Sequence, residues 1–144
     1  EREAVMSTAY AELAAAMKLY FDGFYEGDVE TLKRVFHPCC HLISGAGGTL
    51  ADEDMEAVYA RIAARTNPAR TGQARYDQIV SIHLSGPETA LVTCRIGIEP
   101  KLFTDYLSFV KLDGRWQIVS KVFSWVMIED AAGALPTATA QAAE

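Results

Sequence analysis

Residues 105–123 read DYLSFVKLDGRWQIVSKVF, and this stretch decides the fold. Val, Ile, Phe, Tyr and Trp recur with a period of two on either side of Asp113-Gly114, a dipeptide suited to a two-residue hairpin turn. The stretch therefore reads as two long antiparallel strands. A two-residue turn pairs Leu112 with Arg115, and continuing that count sets Tyr106 opposite Lys121 and Asp105 opposite Val122. Side chains alternate between the faces of a sheet. One face then carries Thr104, Tyr106, Ser108, Val110, Val119, Lys121 and Phe123. The other carries Phe103, Asp105, Leu107, Phe109, Trp116, Ile118 and Val122. Neither face is polar throughout, so both need cover: helices on one side and, on the other, a second copy of the chain. The expectation is a homodimer formed through the outer face of the sheet.

The pattern continues upstream. Residues 75–84 and 89–98 are strand-like, separated by Ser85-Gly86-Pro87-Glu88, and Glu99-Pro100-Lys101 turns into residues 102–112. Before residue 75 the period is helical. Tyr10, Leu13, Met17, Tyr20, Phe21 and Phe24 form one stripe, Gly27 closes the helix, and Asp28 is a good cap for a short second one. Leu32, Val35 and Phe36 face inward there, and Pro38 ends it. Residues 41–44 suggest a brief strand. A third helix is expected from about Asp52 to Arg65, acidic at its start and basic at its end. Three helices followed by a mostly antiparallel, strongly bent sheet make an α+β fold with the helices on one face, in a cone. Residues 1–130 form the single domain expected of a 144-residue chain, and 131–144 read as an Ala- and Thr-rich tail.

Half of the chain is hydrophobic and 22% is charged, which is enough to fill a core. The net charge of −6 lacks the basic field that nucleic acids and anionic membranes require. The apolar residues 4–24 are interrupted by Glu12, Lys18 and Asp22, so neither a membrane span nor a signal peptide is expected, and a removed leader is left open. Cys39, Cys40 and Cys94 are odd in number, and two are adjacent, which favours free thiols and a cytoplasmic setting.

The motif Tyr20-Phe-x-Gly-Phe-Tyr-x-Gly-Asp28, then Phe36-His37-Pro38, Asp105-Tyr106-Leu107 and Asp113-Gly114-x-Trp116-x-Ile118-Val119-x-Lys121-x-Phe123, resembles the nuclear-transport-factor-2-like superfamily and within it the lumazine-binding branch. The resemblance covers about residues 9–126. It implies a cone with an apolar interior pocket, in a superfamily that holds ketosteroid isomerase, scytalone dehydratase, polyketide cyclases and non-catalytic binding modules. Fold alone does not choose among these. Aligned on Gly27-Asp28, the isomerase's tyrosine falls on Tyr20, its base carboxylate near Ser44 and its oxyanion-hole aspartate near Ser108. Serine cannot serve as a carboxylate base, so ketosteroid isomerisation is not expected.

Dehydratase chemistry would draw on a His–Asp pair, for which His37, His41 and Asp105 are the candidates. His37 also reads as a turn residue, and Asp105 also reads as one half of an ion pair with Lys121, diagonal to it across the hairpin. His37-Pro38-Cys39-Cys40-His41 resembles a metal cluster only superficially, because Pro38 stops a helix from aligning the histidines and His83 stands alone. No metal or cofactor is expected. Gly45-Ala46-Gly47-Gly48 lacks the third glycine of a dinucleotide fingerprint, having Leu50 in its place. The functional expectation is a binding domain for a planar or aromatic metabolite, lined by Tyr20, Phe24, His41, Asp105, Tyr106, Lys121 and Phe123. The alternative is a cofactor-independent dehydratase, cyclase or isomerase using His41 or Asp105 as base.

Overall fold

The structure is a computed structural model, and it describes residues 2–134. The expected tail therefore lies outside the described residues from 135 onward. Helix α1 (Arg2–Glu26) is followed by the short α2 (Val29–Leu32), whose N-cap Asp28 accepts hydrogen bonds from the Thr31 backbone and hydroxyl. Gly27 sits at φ 66°, the left-handed conformation that ends a helix cheaply only at glycine. Strand β1 (His41–Ser44) and strand β2 (Ala51–Asp54) form a small hairpin, then comes α3 (Met55–Ala64). The acidic residues expected to begin the third helix divide differently. Asp52 and Glu53 pair with β1, and only Asp54 caps α3, accepting from Ala57 N–H at 2.9 Å.

Strands β3 (Gln78–Leu84), β4 (Thr89–Ile98), β5 (Lys101–Leu112) and β6 (Arg115–Met127) complete a six-stranded sheet ordered β2-β1-β6-β5-β4-β3. All neighbours are antiparallel except β1 and β6. A 3-10 segment, Ile128–Ala134, follows β6. The stripe on α1 and the inner side chains of the sheet share one core, with Leu13, Met17, Tyr20, Phe36, Leu107, Phe109 and Ile118 at 2% exposure or less.

The register of the long hairpin differs from the two-residue-turn count. Pairing follows that count from Leu112–Arg115 to Phe109–Ile118, then shifts by one, so that Ser108 meets Ser120, Leu107 meets Lys121, Tyr106 meets Val122 and Asp105 meets Phe123. The cause is a β-bulge that leaves Val119 as the extra residue. Because side chains alternate, one inserted residue exchanges the faces of everything beyond it. Lys121 and Phe123 therefore join Asp105 and Leu107 on the concave face, and Val122 joins Tyr106 on the convex one.

Candidate functional site

Three strands and one helix converge on Asp105. In the β4–β5 register Cys94 lies opposite Asp105, in the β5–β6 register Phe123 does, and Lys121 stands diagonally one pair along. Helix α1 brings Tyr20 and, one turn later, Phe24 onto the same spot. The Tyr20 hydroxyl donates to Asp105 Oδ2 at 2.5 Å, the Cys94 thiol donates to the same oxygen at 3.7 Å, and Lys121 Nζ stands 3.6 Å from it. Asp105 is fully buried and Lys121 only 6% exposed. Asp105 Oδ1 is buried without a hydrogen-bond partner among the described residues. Leaving a buried polar atom unmatched costs about 1–3 kcal/mol, more when it is charged.

Aromatic rings enclose the ammonium. Lys121 Nζ lies 4.7 Å from the Phe24 ring centre, 5.2 Å from Tyr20 and 5.4 Å from Phe123, within cation–π range of all of them. Phe36 closes the far side, its ring 5.7 Å from Tyr20 and 6.1 Å from Phe24. Burial, and then the neighbouring Asp105 charge, hold the Tyr20 hydroxyl well above the ordinary phenol range, so it remains a donor. Burial, followed by Asp105, likewise raises the Cys94 thiol. Burial pushes Cys40 up to about 12 against the opposing pull of Lys121, and also pushes Tyr59 up to about 12.

Exposure grades along the concave face. On β6 it rises from buried Lys121 through half-buried Phe123 to Trp125 at 37%. On β5 it rises from Asp105 to half-buried Phe103, whose ring lies 5.9 Å from Phe123. The Lys101 ammonium covers the Trp125 ring at 4.2 Å. Exposure on this face thus increases from the buried Tyr20–Asp105–Lys121 cluster toward Phe103, Phe123 and Trp125. An open groove of about 900 Å³ between the start of α1 and the Leu84–Pro87 turn, and a smaller one of about 270 Å³ beside Trp116, share no lining residue with this cluster.

Of the residues expected from the sequence, Tyr20, Phe24, Asp105, Lys121 and Phe123 come together. His41 and Tyr106 do not. His41 is exposed at the β1–β2 edge, with Nδ1 2.7 Å from Asp52, because Leu42 and Ser44 take the inner positions of β1. Tyr106 is 51% exposed on the convex face, for the register reason given above. His37 closes a turn by accepting from Cys39 N–H at 3.0 Å. Ser44 is buried and accepts from Ala46 N–H at 3.1 Å. Cys94 was not singled out from the sequence. Counting back through the Glu99-Pro100 turn from the Ile98–Lys101 pair would have set it opposite Asp105. Among the described residues no group of three or more His, Cys, Asp or Glu side chains is placed to hold a metal ion.

Residues 8–124 match the family described as "Putative lumazine-binding". An aldolase, FrzH, from a Cladobotryum species is 28% identical over 125 residues, 85% of this chain and 90% of that protein. Among solved structures, a nuclear-transport-factor-2-like protein of unknown function from Silicibacter pomeroyi superposes with TM-score 0.72 at 24% identity, over 84% of this chain and 98% of the other. One from Shewanella baltica, also of unknown function, gives 0.74 at 18% identity, over 83% and 95%.

Proposed function

The chain belongs to this lumazine-binding family of the nuclear-transport-factor-2-like superfamily, and on that footing we propose that it binds a small planar metabolite on the concave face of its sheet. The observation that carries the reading is Asp105 Oδ1, a buried acceptor without a donor among the described residues, beside a buried ammonium inside a ring of aromatic side chains. A flat heterocycle entering past Phe103 and Phe123 would stack on those rings. It would offer an N–H to Asp105 and a carbonyl to Lys121, the pairing of apolar walls with a few fixed polar groups common to small-molecule sites. Thermal shift with lumazine and oxidised pterins tests it: stabilisation supports the reading, and none across that panel removes it.

An enzymatic reading has its own support in the aldolase relative and in the Tyr20–Asp105 pair. With His41 outside the cluster, Asp105 is the base candidate, able to take a proton from a carbon next to a carbonyl held by Tyr20 and Lys121. Asp105→Asn would then abolish turnover while ligand binding persists.

The convex face suits a second copy of the chain. Ile43, Val122 and Tyr106 follow one another across β1, β6 and β5, with Val122 and Tyr106 about half exposed and Val126 and Leu91 exposed nearby. A dimer through this face would cover that patch, and light scattering at micromolar concentration decides it. No helix among the described residues is long and apolar enough to cross a membrane, and all three cysteines are free thiols, which supports a cytoplasmic setting.

A further inference from the structure

We propose that Lys121 captures carbonyl ligands covalently, as an imine, so that the concave face takes planar aryl ketones and aldehydes besides flat heterocycles; this rests on the concave-face binding reading above. The chain has five lysines, and Lys121 differs in kind from the other four. Lys18 and Lys33 are mostly exposed and pair with helix neighbours, Lys111 pairs with Glu12, and Lys101 lies over Trp125. Lys121 alone is surrounded by rings and set beside a buried carboxyl. An amine becomes a useful nucleophile when it is taken out of water next to a group that can carry its proton.

A structural ion pair offsets its desolvation only when the geometry is excellent and further hydrogen bonds satisfy the remaining lone pairs. Here the ammonium stands 3.6 Å away, Tyr20 and Cys94 crowd the same oxygen, and Oδ1 is bare. The arrangement suits moving protons better than locking two charges together.

The step balances without a co-reactant. Asp105 takes one proton from the ammonium, and the nitrogen lone pair forms the C–N bond while the carbonyl π pair moves to oxygen. Asp105 returns the proton to that oxygen, giving a carbinolamine. A second N–H proton passes through Asp105 to the hydroxyl, which leaves as water as the nitrogen lone pair closes the C=N bond. Ammonium plus carbonyl gives iminium plus water, with no net proton released. Tyr20, held as a phenol, positions Asp105 throughout.

Benzoylacetone, a flat aryl diketone, is the probe, because its lysine imine loses a carbon-bound proton and settles as a stable enaminone with a new near-ultraviolet band. The expected result is one adduct per chain, with the mass of the probe less one water, mapped to the peptide containing Lys121. It should form about 10²-fold faster than at the other lysines. Lys121→Arg keeps the charge and the pair yet should form none, and Asp105→Asn should slow formation at least about tenfold, with circular dichroism confirming that both variants fold. Quenching of tryptophan fluorescence by benzoylacetone without any adduct at Lys121 would overturn the imine and leave the binding site standing, as would labelling spread evenly over all lysines. Absence of both adduct and quenching, with no thermal shift from lumazine or pterins, would overturn both.

Discussion

Replacing Lys121 by Met should destabilise the fold far more than loss of an exposed ion pair would. Lys121 is 6% exposed and is the partner of a fully buried carboxyl, so the change strands Asp105 with one oxygen unmatched among the described residues and two donors crowding the other. Removing one member of such a pair costs about 3–5 kcal/mol, mostly from the charge left behind. Asp105→Asn strands the ammonium instead, at a similar cost of about 3–5 kcal/mol. The double variant removes both charges while keeping an acceptor for the Tyr20 hydroxyl, so its cost should fall to about 1–2 kcal/mol, a hydrogen bond's worth. The singles sum to at least about 6 kcal/mol, which makes the coupling about 4 kcal/mol or more, well beyond the ~0.5 kcal/mol scatter of independent sites. Urea unfolding at neutral pH, followed by tryptophan fluorescence and far-ultraviolet circular dichroism with unchanged slope, measures all four proteins. Singles costing under about 1 kcal/mol, or a double equal to their sum, would show a solvated pair and refute the reasoning.

Gly97→Ala drives a methyl into the Tyr76 ring, so overpacking should cost about 1–3 kcal/mol in the same urea assay. An aromatic disulfide reagent should titrate one thiol, Cys39, in the native protein and all three after unfolding, because Cys40 and Cys94 are buried. Thr31 holds the Asp28 carboxyl below the usual carboxylate range through side-chain and backbone hydrogen bonds. The stability this cap supplies is present above the ordinary Asp value of about 3.9 and is lost as pH falls through the depressed one, so Asp28→Ala should remove that part of the acid limb in a pH series of melts. Tyr106→Glu and Val122→Glu each put a charge on the exposed convex face and should abolish the proposed dimer, so that light scattering reports monomer mass for both variants without a change in the circular dichroism spectrum.

Much of the fold was legible because it rests on periodicity. The α1 stripe, the Asp28 cap, the Asp113-Gly114 turn and the four long strands each follow from local pattern. The candidate site was half legible for a single physical reason. Its residues lie on both arms of a hairpin whose register slips at Val119, and a bulge leaves little mark in an unbroken run of β-formers. Tyr106 was therefore grouped with Lys121, whereas the slip turns Lys121 inward to Asp105 and leaves Tyr106 outside. His41 was ambiguous because a four-residue strand at the end of a loop does not declare its inner face. The structure resolves it through Leu42 and Ser44, which fill the inner positions. Asp52 and Glu53 read as a helix start because acids suit that end, but pairing with β1 outcompeted the helix there.

The most direct test of the account is a thermal-shift titration of lumazine and oxidised pterins against the wild-type chain and Lys121→Met in parallel, with each variant referenced to its own ligand-free melt. At a ligand concentration of about 100 Kd, binding to the native state adds about 2.7 kcal/mol and should raise the wild-type midpoint by on the order of 8 °C. The account predicts that rise for at least one ligand of the panel and its loss in Lys121→Met. Equal shifts in the two proteins, or none in the wild type, would contradict a site built on Lys121 and Asp105.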